Sequence, residues 1–174
     1  VTAARADYAA LVAQLGLPLF VKPANQGSSV GVSKVRNADE FATAMALALS
    51  FDHKVLVESA IVGREIECAV LGGRDGAPPR VSLAGEIVVT GREFYDFDAK
   101  YLGAPGIDLV CPAALAPGEL AEMQRIAARA FEAVGGEGLS RVDFFYTGTE
   151  FFVNEVNTMP GFTPISMFPK CWVA

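Results

Sequence analysis

The chain of 174 residues is 52% hydrophobic and 20% charged, with a formal net charge of −6, so it has apolar side chains for a core and general disorder is excluded. The acidic charge argues against nucleic acid or an anionic membrane surface as a partner, and no apolar stretch reaches the ~20 residues of a membrane span. One histidine and three widely spaced cysteines argue against Ser-His-Asp catalysis, His-rich metal sites and disulfide frameworks, and they suit a reducing cytoplasm.

The first half of the chain is predicted to alternate helices with short strands. A helix is expected over residues 5–14, ending before Gly16. A second helix begins at Asn37, an N-cap whose capping partner is Glu40, and runs to about Ser50. Apolar or alternating runs predict strands at 19–21, 32–35, 55–58, 64–71 and 81–89.

The second half opens with a long loop over 90–106 that is rich in aromatic and charged residues, and loops of more than ~12 residues within a domain are usually functional. The helical period of apolar residues predicts a helix over 117–134. Runs at 142–146 and 151–156 predict an antiparallel hairpin with a three-residue turn at 147–149. Together these elements predict an α+β fold in which antiparallel sheets carry helices.

Three oxygen-bearing side chains fall on this hairpin. Glu155 and Asn157 are two residues apart and therefore point to the same face of a strand. Asp143 lies opposite Glu155 if the three-residue turn sets the register. Two carboxylates and an amide oxygen are ligands that suit Mg²⁺, although a hydrated acidic face has the same pattern. Arg141 shares the face, either as a structural ion pair or as a group that stabilises an oxyanion.

Two glycine-containing turns are candidate anion sites. The turn 157–163 follows directly after the candidate ligands, so its backbone N–H groups can face an anion; an ordinary strand-to-helix turn is the alternative. In the loop after Lys22, glycines let the backbone approach a ligand, and Ser28 and Ser29 add hydroxyl donors. The alternative there is a hairpin turn with a solvated lysine, since the P-loop pattern is absent.

The order in which these features follow one another is specific. A strand lysine, a Gly-Ser loop, an acidic strand end and a charged loop precede an Asp and a Glu-x-Asn motif. The stretches that carry the pattern are VKPANQGSSVGVSKV (21–35), VLVESAIVGREIECAVLG (55–72), FYDFDAKY (94–101), SRVDFF (140–145) and NEVNTMPGFTPISMFP (154–169). They span most of the chain and resemble the ATP-grasp ligases, and within that superfamily the D-alanine–D-alanine ligases.

The resemblance implies a role for each matching residue. The residues implied to bind ATP are Lys22, Ser29 and Lys100 at the phosphates, Glu58, Ser59, Ala60 and Ile61 at the adenine, and Glu65 at the ribose. The residues implied to hold two Mg²⁺ ions, or Mn²⁺ in their place, are Asp143, Glu155 and Asn157. The residues implied to act on the reacting groups are Arg141 and the Gly161 backbone at the oxyanion, the loop-closing pair Ser28 and Tyr101, and Ser166 and Met167 at the D-alanine carboxylate.

The resemblance also implies a fold and an activity. The ATP-grasp fold would hold the nucleotide between two lobes: residues 1–60 would be part of the central lobe, and 61–174 the C-terminal lobe, truncated at its end. The activity would be ATP-dependent joining of two D-alanines through an acyl phosphate, for peptidoglycan precursors in the cytoplasm. The full-length protein would be a homodimer, as is common in the family.

Departures from the family pattern leave alternatives open. The family's N-terminal domain is absent from the match, so the chain is expected to be a fragment with little ligase turnover of its own. A ligase that takes D-lactate as its second substrate is one alternative, which Tyr101 disfavours. Another ATP-grasp ligase is disfavoured by the stretch NTMPGFTPIS (157–166). A nucleotide-binding module without ligase activity is the last alternative.

Overall fold

The computed structural model describes residues 6–89 and 106–174. These residues form two compact units, which we call unit 1 (residues 6–61) and unit 2 (residues 62–89 and 106–174). Each unit contains an antiparallel sheet with helices packed on it. The α+β fold class with antiparallel sheets, predicted from the sequence, is confirmed.

Unit 1 is built on a three-stranded sheet. Its elements are α1 (Tyr8–Leu15), β1 (Leu19–Pro23), β2 (Ser33–Val35), α2 (Ala38–Phe51) and β3 (Val55–Ser59). The strand order is β2-β1-β3, and both pairs are antiparallel. Leu19 and Val21 of the central strand are fully buried in its core, so this sheet is anchored by apolar packing on α2.

The start of α2 is determined by side-chain capping. Asn37 Oδ1 accepts the backbone N–H of Glu40 at 2.9 Å, as predicted, and the Glu40 carboxylate accepts the N–H of Arg36 at 2.7 Å. The two bonds satisfy donors at the helix entry that the helix itself cannot satisfy. The helix then buries Phe41 and Met45, which are four residues apart and share one face.

Unit 2 is built on a five-stranded sheet. Its elements are β4 (Arg64–Leu71), β5 (Arg80–Val89), β6 (Ile107–Val110), α3 (Pro117–Ala133), β7 (Leu139–Tyr146), β8 (Phe151–Asn157) and α4 (Met167–Val173). The strand order is β6-β5-β4-β7-β8, with every neighbouring pair antiparallel. Strand β4 is therefore central, and its two faces have different environments.

The two faces of this sheet differ in chemistry along β4. Ile66, Cys68 and Val70 lie on the face that packs against α3. The face away from α3, which we call the polar face because of its carboxylates, is buried as well at Glu67 and Ala69. The opposite face of the strand carries Glu65 and Glu67. Because residues of period two share a face, these two carboxylates lie on the side of the sheet away from α3.

Two elements of unit 2 were not predicted from the sequence, β6 and α4. Strand β6 has only four residues and directly follows the predicted loop, so it is too short for its alternation of side chains to be recognised. Helix α4 contains Pro169, which reads as a helix breaker but occupies the first turn, where no intrahelical N–H donor is needed. The predicted loop over 90–106 lies, except for its last residue, outside the described residues. None of the helices within residues 6–89 and 106–174 has the length and hydropathy that a bilayer span requires.

Candidate active site

The β7–β8 hairpin carries the predicted metal ligands. Asp143 pairs directly with Glu155, and Arg141 pairs with Asn157. Direct cross-strand partners share a face of the sheet, so the four side chains lie together on its polar face. The register predicted for these residues is confirmed.

The turn that produces this register differs in length from the predicted turn. Residues 147–150 connect the strands, one residue more than expected, and near this turn Phe144 pairs with Val153. The prediction of a three-residue turn was therefore wrong. Asn154 is an extra residue on β8, and the β-bulge that it forms shifts the register by one. Without that shift, strand alternation from the turn would carry Glu155 to the opposite face.

Arg141 and Asp143 form a two-point ion pair. Arg141 Nε lies 2.7 Å from Asp143 Oδ1, and Arg141 Nη2 lies 2.7 Å from Asp143 Oδ2. This parallel geometry is the strongest form of a guanidinium–carboxylate bond. The two side chains are 18% and 12% exposed, so little water competes for the pair. The ion pair that the sequence offered as the simpler interpretation of Arg141 is therefore present.

Glu67 is a second carboxylate partner of Arg141 that the sequence did not single out. It lies on β4 directly opposite Asp143 of β7. Its Oε2 is 3.2 Å from Arg141 Nε, and its side chain is only 8% exposed. Because it lies two residues after Glu65 on β4, it shares the face of the sheet with Glu65. Its proximity to the ligands, however, depends on β4 pairing with β7, which no local pattern encodes.

The electrostatics of this cluster favour cations. Burial alone would lower the pKa of Arg141, but hydrogen bonds and the charge of Asp143, with further charge from Glu67 and Glu155, outweigh it and raise that pKa above its ordinary value. The guanidinium is therefore permanently charged. Asp143 and Glu67 contact it and Glu155 adds its charge, so the cluster of these four side chains retains a net negative charge that would attract a further cation.

The donor set fits a hard divalent cation. Asp143 and Glu155 offer carboxylate oxygens, and Asn157 Oδ1 is oriented by accepting the N–H of Met159 at 3.1 Å. Both Asp143 oxygens already accept hydrogen bonds from Arg141, so a cation bound there would share them with the guanidinium. Among the described residues, no three His, Cys, Asp or Glu side chains form a metal-binding group. Such a cation would thus depend on the amide and on oxygens of a ligand, as Mg²⁺ commonly does.

The turn after β8 is organised around Ser166. The Thr163 N–H donates to Ser166 Oγ at 3.0 Å, and the two hydroxyl oxygens lie 2.9 Å apart. At Gly161 a Cβ atom would lie 2.9 Å from Ser166 Oγ, closer than real Cβ atoms approach, so glycine keeps the turn compact. Two predicted site residues, Gly161 and Ser166, are thus brought together directly after the candidate ligands.

Met167, the first residue of α4, packs over the sheet at Gly85. A Cβ atom at position 85 would overlap the Met167 thioether. Gly85 is the cross-strand partner of Glu67, so Met167 lies beside the acidic cluster on the polar face. Gly85 was missed by the sequence analysis, although a glycine inside a strand is a signal of close approach.

In unit 1 the predicted phosphate and adenine residues meet in one ion pair. Lys22 Nζ lies 2.8 Å from Glu58 Oε2, with the two side chains 18% and 39% exposed. Lys22 lies on β1 and Glu58 on the adjacent strand β3. The charge of Lys22 is therefore shared with Glu58 in this structure, and a phosphate would compete for it.

The remaining predicted residues of unit 1 lie in the loop after β1 and at the end of β3. Ser28 and Ser29 have positive φ angles of 57° and 60°, which orients their backbone away from an extended path. The Ser59 hydroxyl donates to the Leu15 carbonyl at 2.8 Å, and the Ala60 N–H donates to the Pro18 carbonyl at 3.1 Å. These bonds fix the chain just before the end of the unit.

Four predicted residues remain to be placed. Ile61, at the end of unit 1, is half-buried, and Glu65 of β4 is half-buried on the polar face of unit 2. Lys100 and Tyr101 lie outside the described residues. The predicted pairing of Tyr101 with Ser28 accordingly stays a prediction.

The chain is similar to a family and to relatives whose names are those of ligases. The family described as "D-ala D-ala ligase C-terminus" matches residues 2–174. The chain is 55% identical over 166 residues to the D-alanine--D-alanine ligase of Arthrobacter sp. (strain FB24), covering 94% of this chain and 44% of that protein. It is 53% identical over 169 residues to D-alanine--D-alanine ligase A of Escherichia coli (strain K12), covering 97% of this chain and 45% of that protein. The chain thus spans less than half the length of these curated relatives.

Solved structures give the same result. The D-alanine-D-alanine ligase from Coxiella burnetii superposes with a TM-score of 0.79 at 39% identity, over 98% of this chain and 43% of that one. The VanG D-Ala:D-Ser ligase from Enterococcus faecalis superposes with a TM-score of 0.80 at 38% identity, over 95% of this chain and 47% of that one. At these identities the likeness extends beyond the fold to the sequence itself.

Proposed function

The chain belongs to the D-ala D-ala ligase C-terminus family, and on that basis we propose that the protein is an ATP-dependent ligase that joins two D-alanine molecules for peptidoglycan precursor synthesis. The resemblance to ATP-grasp ligases and the fold that it predicted agree with the similar solved structures. The observation that carries the proposal is the cross-strand arrangement of Asp143 with Glu155 and of Arg141 with Asn157. It supplies oxygen ligands and a buried cation on one rigid hairpin.

We propose that Asp143, Glu155 and Asn157 hold two Mg²⁺ ions, with Mn²⁺ as a substitute. When bound, the ions would neutralise the phosphate charge as the γ-phosphoryl group is transferred. The sheet supports this role, because ligands on paired strands are held more rigidly than ligands on a loop.

ATP would be bound by the remaining predicted residues. Lys22, Ser29 and Lys100 would contact its phosphates, since lysines act there as point charges. In the same proposal the adenine lies against Glu58 to Ile61 and the ribose hydroxyls bond to Glu65. When nucleotide binds, Lys22 would leave its ion pair with Glu58 and contact a phosphate in its place.

The chemistry would proceed in two steps. The carboxylate of the first D-alanine takes the γ-phosphoryl group and ADP leaves, because a carboxylate itself is a poor electrophile. The amine of the second D-alanine then attacks the carbonyl carbon, loses a proton, and expels phosphate. Arg141 and the Gly161 N–H would stabilise the tetrahedral oxyanion, and Ser166 with Met167 would hold the carboxylate of the second D-alanine.

Exclusion of water is the other requirement, because water would hydrolyse the acyl phosphate. We propose that the segment over 90–106 covers the reacting groups and that Ser28 and Tyr101 hold it closed. We further propose that residues 1–60 belong to the central lobe and 61–174 to the C-terminal lobe of the ATP-grasp fold. A cytoplasmic homodimer, without nucleic-acid or membrane partners, completes the proposal.

Titration calorimetry of ATP and Mg²⁺ into the purified chain tests the metal site. The Asp143→Asn/Glu155→Gln variant keeps side-chain volume but removes both charges, and we expect binding to weaken more than about tenfold. Glu150→Gln, on the exposed turn of the same hairpin, is the matched control and should bind like the wild type. Equal affinities for all three proteins would contradict the proposed site and favour a nucleotide-binding module that uses no metal there.

The ligase activity is tested in a chimera, because the chain spans less than half of its relatives. The matching residues of the Escherichia coli relative, 53% identical, are replaced by this chain, and dipeptide formation is measured by mass spectrometry. D-lactate and D-serine are offered in parallel as the second substrate, and we expect D-alanyl-D-alanine as the main product. A main product with D-lactate or D-serine would assign the alternative ligase class, and ATP binding without any product would remove the ligase proposal.

A further inference from the structure

Glu67 is a buried carboxylate that has no role in the reaction proposed above. Its side chain is 8% exposed and lies 3.2 Å from Arg141 Nε. It is held on the central strand β4, between Gly85 of β5 and Asp143 of β7. Burial of a carboxylate is costly unless a partner offsets the lost hydration. The position of Glu67 therefore indicates that it serves the Arg141–Asp143 pair.

Arg141 and a metal ion would compete for the same carboxylate. Both oxygens of Asp143 accept hydrogen bonds from the guanidinium, each at 2.7 Å. A divalent cation at Asp143 would draw on those oxygens and would also repel the guanidinium. Without a second carboxylate, Arg141 would be left buried beside a cation, which is unfavourable.

We propose that Glu67 is a positioning residue that retains Arg141 on the polar face of the sheet when Asp143 binds a divalent cation. The inference rests on the proposed function of Asp143 as a metal ligand. In this proposal Glu67 acts through Arg141 and not on the metal: it relieves the competition by keeping the guanidinium available for the oxyanion. It is suited to this because it contacts Arg141 from β4, while Asp143 contacts it from β7.

The test is a double-mutant cycle read by Mn²⁺ binding. Free Mn²⁺ is measured by electron paramagnetic resonance during titration of the purified chain with the metal alone. Glu67→Gln leaves Asp143 as the remaining partner that this cluster offers Arg141, so the guanidinium competes more strongly with the metal. We expect Mn²⁺ affinity to fall about tenfold, which is about 1.4 kcal/mol.

The same substitution is then made in an Arg141→Met background. If Glu67 acts through Arg141, Glu67→Gln should change Mn²⁺ affinity there by less than about twofold, because no guanidinium is left to compete. The same fold-change in both backgrounds would show that Glu67 acts on the metal directly and would overturn the proposal. Circular dichroism confirms folding of each variant, and Glu67→Asp, which keeps the charge but shortens the side chain, should give a smaller loss that also vanishes without Arg141.

Two controls separate this inference from the proposed function. Asp143→Asn/Glu155→Gln should abolish Mn²⁺ binding, and Glu150→Gln should leave it unchanged. If the first control binds Mn²⁺ normally, the metal site and the role of Glu67 are both wrong. If that control fails to bind but the Glu67 effect is independent of Arg141, only the inference about Glu67 is wrong.

Discussion

The Met167 thioether occupies the space over Gly85 that a side chain there would need. Residue 85 lies in the middle of β5, and Met167 begins α4. Because Gly85 has no side chain, the start of α4 can pack closely on β5. Because Ser166 immediately precedes Met167, the same contact positions the proposed carboxylate-binding residues.

Gly85→Ala is expected to destabilise unit 2 by about 1–3 kcal/mol, since an added methyl group must displace Met167. The free energy of unfolding, measured in urea, checks this. Gly118→Ala is the matched control: it lies in the first turn of α3, and apart from its chain neighbours and the nearby backbone of the helix no atom lies within 4 Å of its new methyl group, so we expect no loss of stability. A Gly85→Ala protein as stable as the wild type would contradict the close packing.

Arg141→Met is expected to destabilise the chain by about 3–5 kcal/mol, because it leaves the buried carboxylates of Glu67 and Asp143 without their cation. Addition of Mg²⁺ should restore part of the loss, since a ligand that binds only the folded state stabilises it. Thermal unfolding with and without Mg²⁺ measures both effects. Arg125→Met, which breaks an exposed ion pair with Glu122, is the control and should change stability by less than about 1 kcal/mol. A similar small effect at Arg141 would be evidence that the buried pair is not stabilising.

Tyr146→Phe should change how stability depends on pH. The Tyr146 hydroxyl donates to the Glu119 carboxylate, which lowers the pKa of Glu119 below its ordinary 4.5 and raises the pKa of Tyr146 above its ordinary 10.0. The lowered pKa stabilises the fold above pH 4.5, and this is lost as the pH falls through the folded value. The raised pKa stabilises the fold below pH 10.0, and this is lost as the pH rises through the folded value.

The difference in unfolding free energy between the wild type and Tyr146→Phe should therefore be largest between pH 4.5 and pH 10.0. It should shrink as the pH falls below the first value or rises above the second. Urea unfolding across that pH range measures it. Tyr8→Phe removes the same hydroxyl from a ring that packs on Phe41 in unit 1, and its effect should not follow this profile. A pH-independent difference at Tyr146 would count against the bond to Glu119.

Alkylation should distinguish the three cysteines. Burial, with a contribution from neighbouring charge, raises the pKa of Cys68 and of Cys171, and a thiol that stays protonated is a weak nucleophile. Cys111 is only half-buried, so iodoacetamide at pH 8 should modify it first. Peptide mass spectrometry at several times checks the order, and Cys111→Ser should remove the fast phase. Early modification at Cys68 would contradict its burial.

The sequence was informative wherever a local structure is decided by residues that are neighbours along the chain. The capping of α2 by Asn37 depends on residues three apart. The alternation along 64–71 predicted strand β4. In both cases the residues that decide the structure are close in sequence, so periodicity and capping chemistry suffice. The pairing of Asp143 with Glu155 was also predicted, but from a turn one residue too short, and the observed register depends on the bulge at Asn154.

The rest depends on pairing between distant segments. Glu67 joins the site only because β4 lies beside β7, and Gly85 only because β5 lies beside β4. Neither strand pairing can be recognised from the order of polar and apolar residues within a single strand. The bulge at Asn154 was missed for a related reason: an extra residue in a strand is fixed by what the strand must meet at both ends.

That bulge places the tip and the base of the hairpin in two different registers. At the tip, the rings of Tyr146 and Phe151 stack with centroids 4.1 Å apart, and residues 147–150 lie outside the paired ladder. An insertion in this loop that keeps the pair of Tyr146 with Phe151 leaves the register at the base unchanged. The exposed residues around Gly148 are accordingly a suitable point at which to insert a fluorescent or affinity label without altering the ligands.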